Sequence, residues 1–350
     1  MNTKPLAISL SVLAGCAFAA TPASVSFSHG DWELACDNTR TCRAAGYQPE
    51  MQNGRPVSML LTRQAGPNSL VTAHIRLGEY DEPTAQEKKA ARKPLVLRIN
   101  GKPVQGALVS HKNMFTLTQS QAQAVLAALT RSSRIEVGRG GLTWHLSDQG
   151  AAAVLLKMDE FQGRLHTQGA LVSKGARSES QVLPPLPAPV VLRAPLARAQ
   201  ALDAQFAARH AQALQRAVEG RQGEEVCPLW REEEAARFDL VRLTADKLLL
   251  SSLCWRAAYN EGVAYWVIQD RPPFQPERIT DSGTDFSNGT VAATQKGRGL
   301  GDCWAHQAWT WDGQRFVKTA EGTTGMCRLI AAGGAWDLPT LVTEVKPQGQ

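Results

Sequence analysis

The chain has 350 residues, of which 20% are charged, and it carries a formal net charge of +6. The basic residues are spread along the sequence, so the concentrated Lys/Arg patch that is typical of nucleic-acid-binding proteins is missing, and we expect no nucleic-acid partner. A chain of this length is expected to form about two domains.

The first 23 residues predict an export signal. Lys4 supplies a positive start, and the apolar run from Leu6 to Ala14 is shorter than the roughly 20 residues that a membrane-spanning helix needs. Two cleavage patterns compete: Ala17-Phe18-Ala19 fits ordinary signal peptidase, whereas Leu13-Ala14-Gly15-Cys16 resembles a bacterial lipobox. We favour the lipobox. It predicts that Cys16 is lipidated, that the protein is periplasmic and anchored to the outer membrane, and that this lipid is its one contact with the membrane.

Residues 24–177 are predicted to form a first, β-rich domain. Short apolar runs separated by turn signals predict strands, and they occur at Val57–Leu61, Leu70–Leu77, Leu95–Ile99 and Ile135–Val137. Helical spacing of the apolar residues predicts short helices over Ser120–Leu129 and Ala151–Met158.

Residues 178–196 contain five prolines and predict an extended, semi-rigid linker. A long helix is expected to follow over Ala197–Glu219, because apolar residues recur at every fourth position; these are Leu202, Phe206, His210, Leu214 and Val218. On this stripe, His210 is predicted to be a packed edge residue and not a metal ligand.

The second domain is predicted to cover residues 197–350 and to return to strands after its first helix. Candidate strands are Lys247–Trp255 and Val263–Ile268, and a hairpin is expected around Trp311-Asp312-Gly313-Gln314. The sequence thus predicts two domains of antiparallel sheet with a few helices, an α+β class rich in β-structure, joined by the Pro-rich linker and the long helix.

Seven cysteines are present, and six remain when Cys16 is set aside. An even number in an exported chain favours structural disulfides over a catalytic thiol or a zinc site. Fifteen pairings are open in principle, but the clustering along the chain favours three local bridges: Cys36–Cys42, Cys227–Cys254 and Cys303–Cys327.

A glycine-rich stretch, KGRGLGDCW, runs from Lys296 to Trp304. Its spacing is G-x-G-x-G, with the lysine in front and no helix behind, so it matches neither a P-loop nor a dinucleotide fingerprint. We expect a surface loop in which glycines, Gly299 among them, permit positive φ, while Lys296 and Arg298 carry ordinary surface charge that supports no core. The functional alternative is an anion-binding nest beneath Lys296 and Arg298.

Enzyme signatures are weak. The sequence has no G-x-S-x-G, no H-E-x-x-H, and one Asp-Ser-Gly-Thr at Asp281–Thr284 where an aspartic protease needs two such aspartates. We expect that stretch to be an exposed polar loop, and we expect no catalytic residue, no cofactor and no metal site. A pair of glycosidase carboxylates remains an open alternative, because the fold brings such residues together from distant positions in the sequence.

Tryptophans are concentrated in the second half of the chain, where Trp309 and Trp311 lie two residues apart and would share one face of a strand. Exposed, they would form a stacking platform for a sugar or an apolar partner. Buried, they are core beside a disulfide, which is the commoner outcome. Trp309, Trp311, Lys296 and Arg298 are therefore the candidate ligand surface.

Several motifs together resemble the exported bacterial family catalogued as domain of unknown function 1176: Phe27–Tyr47, Leu253–Val267, the KGRGLGDCW stretch and Gly333–Val342. The resemblance implies a Gram-negative exported protein with structural cysteine pairs. The first domain is also similar to the invasion-associated locus B family, on Trp32–Cys36 and Ser147–Ala153, which implies an envelope or host-interaction role.

These observations predict an exported cell-envelope protein that is a non-catalytic binding or structural component. Its partner would be an envelope or host protein or a glycan. The alternative function is a secreted hydrolase that acts on a cell-wall or other glycan substrate.

Overall fold

A computed structural model describes residues 24–50, 54–80, 82–106, 108–111, 114–219, 227–231 and 237–349. The predicted β-rich α+β class is confirmed, because the described residues form several antiparallel sheets and four α-helices. The expected export signal and Cys16 lie outside the described residues. No helix in the described part of the chain is long and apolar enough to cross a membrane.

The N-terminal half contains the following elements: β1 (Val25–His29), β2 (Trp32–Cys36), β3 (Cys42–Tyr47), β4 (Val57–Arg63), β5 (Val71–Leu77), α1 (Ala85–Ala90), β6 (Val96–Ile99), β7 (Lys102–Pro103), β8 (Val109–His111), β9 (Met114–Thr116), α2 (Gln119–Leu129), β10 (Ile135–Arg139), β11 (Leu142–Leu146) and α3 (Ala151–Phe161). A seven-stranded sheet has the order β1-β2-β3-β4-β5-β9-β8, and a four-stranded sheet has the order β11-β10-β6-β7.

The main core of this half lies on one face of the seven-stranded sheet. Alternate residues of β2 and β4, such as Trp32, Leu34 and Met59, point into it and pack against the four-stranded sheet, α2 and α3. Helix α3 can start directly behind the β1–β2 turn because Gly150 has φ +93°, and a Cβ there would lie 1.7 Å from the carbonyl oxygen of His29. Backbone alternation thus leaves the opposite face of the sheet free for other contacts.

The C-terminal half contains β12 (Val190–Arg193), α4 (Asp203–Glu219), β13 (Asp239–Arg242), β14 (Lys247–Arg256), β15 (Glu261–Gln269), β16 (Glu277–Gly283), β17 (Asp285–Ser287), β18 (Thr290–Lys296), β19 (Trp304–Trp311), β20 (Phe316–Thr323), β21 (Leu338–Leu341) and β22 (Glu344–Pro347). Strands β13 to β16 form one sheet in sequence order, and β17 to β21 form another.

Three layers make up this half. Helix α4 covers one face of the β13–β16 sheet, where Leu250 and Trp266 are buried, and the β17–β21 sheet covers the other face, where Leu249 and Val267 are buried. Strands β14 and β15 are therefore nearly continuous in apolar residues because both of their faces are covered.

Two sequence expectations differ in detail from the structure. Helix α4 begins at Asp203 and not at Ala197, because backbone bonds to Trp311 and Leu243 hold residues 194 and 197 in an extended segment. Leu202 is therefore 60% exposed, whereas Leu214 is buried. His210 packs beside Phe206, as expected for an edge histidine.

The Asp-Ser-Gly-Thr stretch is not an exposed loop, since Asp281 to Gly283 belong to β16. The first prolines of the predicted linker, Pro184 and Pro185, lie against the N-terminal half, with which the segment also forms backbone hydrogen bonds at Leu183 and Leu186. Its last part forms β12, which pairs in parallel with β22 near the C-terminus.

All three predicted disulfides are confirmed: Cys36–Cys42, Cys227–Cys254 and Cys303–Cys327. The first closes the β2–β3 hairpin, whose register places the two cysteines directly opposite each other. None of the three joins the two halves of the chain.

Non-covalent contacts do join the halves. A separate apolar cluster on the outer face of the seven-stranded sheet combines Ala45 and Tyr47 with Ile330 and Ala335, from the segment between β20 and β21, and with Leu338 at the start of β21. The Trp336 indole N–H donates to Ser58 Oγ over 2.7 Å within the same junction. The predicted domain division at residues 177 and 197 stays a prediction.

Candidate functional site

A cleft of about 370 Å³ lies between strands β1 and β2 of the N-terminal half and part of one face of the β17–β21 sheet. Cross-strand neighbours Gln307 and Glu321 project from that face, and Gln295 lies one strand further along it. Glu33 enters the cleft from the opposite wall. The cleft, which we call the inter-half cleft, therefore brings together side chains that are far apart in the sequence.

Glu33 reaches the cleft because β2 turns Trp32, Leu34 and Cys36 into the core, which leaves Glu33 on the outer face of the sheet. Its Oε1 accepts hydrogen bonds from the hydroxyl of Tyr47 at 2.6 Å and from the backbone N–H of Met326 at 2.7 Å. One carboxylate oxygen is thus held by two donors.

Burial raises the pKa of the Glu33 carboxyl above its ordinary value, and the bonds from Tyr47 and Met326 and the charge of Arg328 offset only part of this effect. Burial and the neighbouring Glu33 also raise the pKa of the Tyr47 hydroxyl well above its usual range, so Tyr47 stays a neutral donor. Glu33 is consequently a carboxyl group that holds its proton more tightly than an exposed glutamate does.

Glu321 has the opposite character. Its Oε1 accepts hydrogen bonds from Gln307 Nε2 and Lys318 Nζ, both at 2.7 Å. Burial raises the pKa of the Glu321 carboxyl, but the bonds from Lys318 and Gln307 more than compensate, and the net pKa lies below the ordinary value. Glu321 is therefore ionised at neutral pH, with its charge partly balanced by Lys318.

The amide of Gln295 adds a buried acceptor. Its Nε2 donates to the backbone carbonyls of Glu261 and Ser282, each at 3.0 Å, which fixes the orientation of the amide group. The Oε1 atom is then left buried without a hydrogen-bond partner. The Gln295 side chain is thus held in a fixed orientation at the wall of the cleft.

His306 also borders the cleft, and its Nε2 lies 3.8 Å from the Asp337 carboxylate. The hydroxyls of Ser26, Thr323 and Thr340 complete the polar lining. Among the described residues, no lysine or arginine side chain lines the cleft. The arrangement is chemically an acceptor-rich cleft with two carboxyl groups of opposite pKa shift.

The glycine-rich loop has a structural role. Arg298 forms two hydrogen bonds with the carboxylate of the buried Asp302, at 2.7 and 2.5 Å, and Asp302 also accepts the backbone N–H of Leu329 at 2.7 Å. The expectation that neither Lys296 nor Arg298 supports the core is therefore wrong for Arg298. The carboxylate of Asp302 already occupies the position that an anion would take beside Arg298.

Within the loop, the positive φ belongs to Gly301, at +68°, and not to Gly299. The Lys296 ammonium lies 5.4 Å from the centre of the Trp304 ring. Asp302, Cys303 and Cys327 lie close enough together to resemble a metal-binding group, but the two cysteines are bonded to each other in a disulfide and offer no thiolate ligand.

The two tryptophans of the candidate ligand surface belong to the core. Trp311 has no exposed surface, and Trp309 is partly buried in the same cluster, between the two sheets of the C-terminal half. The ammonium of Lys318 also lies 5.7 Å from the Trp309 ring. The proposed stacking platform is thus replaced by the commoner buried arrangement.

Sequence reasoning missed Glu33, Gln295, His306 and Glu321. Glu33 stands in the quoted Trp32–Cys36 motif, where it is the one polar residue among apolar neighbours. Alternation places it on the outer face of a strand, which on sequence alone indicates solvent. The second wall of the cleft comes from residues nearly 300 positions away, and one sequence carries no signal for that contact.

A sequence model of the family described as "Protein of unknown function (DUF1176)" matches residues 26–343. The chain is 27% identical to "Uncharacterized protein YpfG" of Escherichia coli (strain K12) over 359 residues, which cover 92% of this chain and 93% of YpfG. No solved structure matches the chain. The similarity of the first domain to the invasion-associated locus B family stays a prediction.

Replacing Arg298 by alanine should destabilise the protein by about 1–2 kcal/mol, because the buried carboxylate of Asp302 loses its charged partner. Burial raises the pKa of the Asp302 carboxyl, but Arg298 and the Leu329 N–H lower it more, so the net pKa is depressed. The stabilisation is therefore present at neutral pH and is lost as the pH falls through the folded-state pKa. Denaturant unfolding at neutral pH and in acid measures it.

Lys296→Ala is the matched control from the same loop, and it should cost less than about 1 kcal/mol, because in the part of the chain that the structure describes the half-buried Lys296 ammonium makes only a cation–π contact with Trp304. If the Arg298→Ala variant were as stable as the unaltered protein at neutral pH, Arg298 would have no structural role and would carry only surface charge.

Glu33→Gln should stabilise the protein at neutral and mildly alkaline pH, because the amide oxygen can still accept from Tyr47 and Met326 without the cost of burying a charge. A folded-state pKa that is raised penalises the ionised form, so this advantage should disappear in acid, where Glu33 is protonated. Thermal unfolding across pH measures the effect, with Glu277→Gln on the exposed start of β16 as control. A Glu33→Gln variant less stable than the parent in alkali would contradict the argument.

Proposed function

The chain belongs to the DUF1176 family, and from that premise we propose that it is an exported, non-catalytic binding protein of the cell envelope. Its ligand would be a hydroxyl-rich glycan in the inter-half cleft. The observation that carries the proposal is the set of carboxyl, amide and hydroxyl side chains from both halves of the chain that line one cavity, among them Glu33, Gln307 and Glu321.

The acceptors favour hydroxyl groups over a strongly charged ligand. Glu33 retains its proton more tightly than an exposed glutamate, and Lys318 balances part of the charge of Glu321. The cleft therefore has less negative charge than two free carboxylates would give it. A volume of about 370 Å³ is within the range of small-molecule pockets.

Three disulfides support an oxidising compartment outside the cytoplasm. We propose further that Cys16 is lipidated and anchors the protein to the outer membrane, facing the periplasm, which places the cleft near envelope glycans. The resemblance of the first domain to the invasion-associated locus B family favours the same envelope setting.

Mass spectrometry of the mature N-terminus tests the anchor. A diacylglyceryl or triacylated Cys16 is the expected first residue, and Cys16→Ser should abolish lipid attachment and release the protein into the soluble periplasmic fraction. An unmodified start at Ala20 would refute lipidation while leaving export intact.

A second candidate is a glycan hydrolase, and it rests on the opposite pKa shifts of two carboxyl groups in one cleft. In many enzymes, two carboxyl groups whose pKa values are shifted in opposite directions serve as the general acid and as the ionised base or nucleophile. Glu33 would donate the proton to the leaving oxygen, and the ionised Glu321 would act on the other side of the bond. Release of reducing ends from peptidoglycan fragments or glucans that Glu33→Gln and Glu321→Gln both abolish would favour this alternative over binding alone.

Filling the cleft tests the binding function. Ala305 lines the cleft with an exposed side chain, so Ala305→Trp should occlude the cavity and weaken glycan binding by more than about tenfold without unfolding the protein. Calorimetry with chitooligosaccharides, muropeptides and soluble glucans measures the binding. Ala208→Trp, on the exposed side of α4, is the matched control. Absence of binding to every glycan of the panel, or equal binding by both variants, would overturn the proposal.

A further inference from the structure

A second cavity, of about 670 Å³, shares no lining residue with the inter-half cleft. One wall is a single face of α2, which presents Gln119, Gln123 and Leu126. The facing wall is the segment 168–174, and Leu70, the exposed residue immediately before β5, lies at one side. We call it the basic cavity, because its charged lining residues are Arg63, Arg131 and Lys174, and no acidic residue of the described chain lines it.

Arg63 builds the cavity. Its guanidinium donates to the carbonyl oxygens of Ser69 and Gly169, at 3.1 and 2.8 Å, and these two residues stand on different walls. It also lies 3.5 Å from the buried Asp159, whose other oxygen accepts the backbone N–H of Leu171 at 2.7 Å. Burial, with the nearby Arg164, lowers the pKa of Arg63 to about 10, which still leaves it charged at neutral pH.

The excess positive charge comes from the other two cations. The charge of Arg63 is balanced by Asp159, and that of the neighbouring Arg164 by Glu179 at 2.6 Å. Arg131 and Lys174 form no ion pair within the described part of the chain. A cavity lined by one sign of charge concentrates ions of the opposite sign, so the basic cavity attracts anions.

Three amide side chains in the same cavity are also uncommitted. Gln119, Gln123 and Gln168 make no side-chain hydrogen bond to any described residue. Gln121 of the same helix provides the contrast, since its amide accepts from the Thr118 N–H and donates to the carbonyl oxygens of Gln105 and Gly106. Gln121 is structural, whereas the amides that face the basic cavity are free to bind a polar molecule.

We propose that the basic cavity binds an anionic saccharide, that is, a sugar with a phosphate or carboxylate group. Arg131 and Lys174 meet the anionic group by charge-assisted hydrogen bonds, and the three glutamines donate to and accept from the sugar hydroxyls. Leu70, 64% exposed at the rim, offers an apolar surface to the C–H face of the ring. The site is independent of the glycan cleft, because it differs in location and in charge.

Isothermal titration of the full mature chain with glucose 1-phosphate, glucuronate and glucose tests the proposal. Both anionic sugars should bind, and added salt should weaken them because Arg131 and Lys174 are exposed. Neutral glucose should bind about tenfold more weakly or not at all. The double variant Arg131→Ala/Lys174→Ala should lose the binding. The matched control Arg92→Ala/Lys93→Ala removes the same two residue types from an exposed turn elsewhere and should change nothing.

A second double variant, Gln119→Ala/Gln123→Ala, separates a saccharide site from a bare anion site. It should weaken glucose 1-phosphate but leave inorganic phosphate unchanged. Flotation of the Cys16→Ser protein, which would carry no lipid anchor, with phosphatidylcholine vesicles, with and without phosphatidylinositol, shows whether the sugar phosphate can also come from a lipid headgroup. The proposal is supported if the protein binds either the free sugar phosphate or the lipid headgroup and if the Arg131→Ala/Lys174→Ala variant loses that binding. No binding of any anionic sugar, or equal binding by both charge variants, would overturn it.

Discussion

The inter-half cleft depends on the buried ion pair between Arg328 and Asp31. Arg328 Nη2 lies 2.9 Å from Asp31 Oδ1, and Gln48 Nε2 donates to the backbone carbonyl of Arg328 over 2.8 Å. Removing one member of a buried ion pair leaves the other charge uncompensated, at a cost of typically about 3–5 kcal/mol. The pair therefore fixes where the segment between β20 and β21 lies on the outer face of the seven-stranded sheet.

That position also orients the chemistry of the cleft. Met326 precedes Arg328 by two residues, and its N–H donates to the Glu33 carboxylate, while Cys327 between them is bonded to Cys303, the residue immediately before β19. Glu33 belongs to one half of the chain, and Glu321 to the other. The two carboxyl groups consequently face one cavity as long as the segment stays docked, so the geometry of the cleft is coupled to the stability of the junction.

Sequence reasoning succeeded where the determinants are local and failed where they are distant. Strands, helices and the disulfides, whose partners are separated by 6, 27 and 24 positions, follow from periodicity and clustering. Arg328 and Asp31 are 297 positions apart, and no pattern in a single sequence relates them. Arg298 and Asp302 lie four residues apart in the glycine loop, so their ion pair could have been predicted from the sequence. The burial of Asp302, which gives the ion pair its structural role, could not.

The same two-residue alternation that places Glu33 on the outer face of its strand also gives the two faces of the sheet different polar groups. In β2 the apolar residues turn inward and Glu33 turns outward, to the acceptor-rich cleft. In β4, Arg63 follows the inward positions of Val57, Met59 and Leu61 and reaches the basic cavity beside α2. One sheet thus presents a carboxyl group on one face and a guanidinium on the other. The cleft therefore presents mainly hydrogen-bond acceptors, whereas the basic cavity presents uncompensated positive charge.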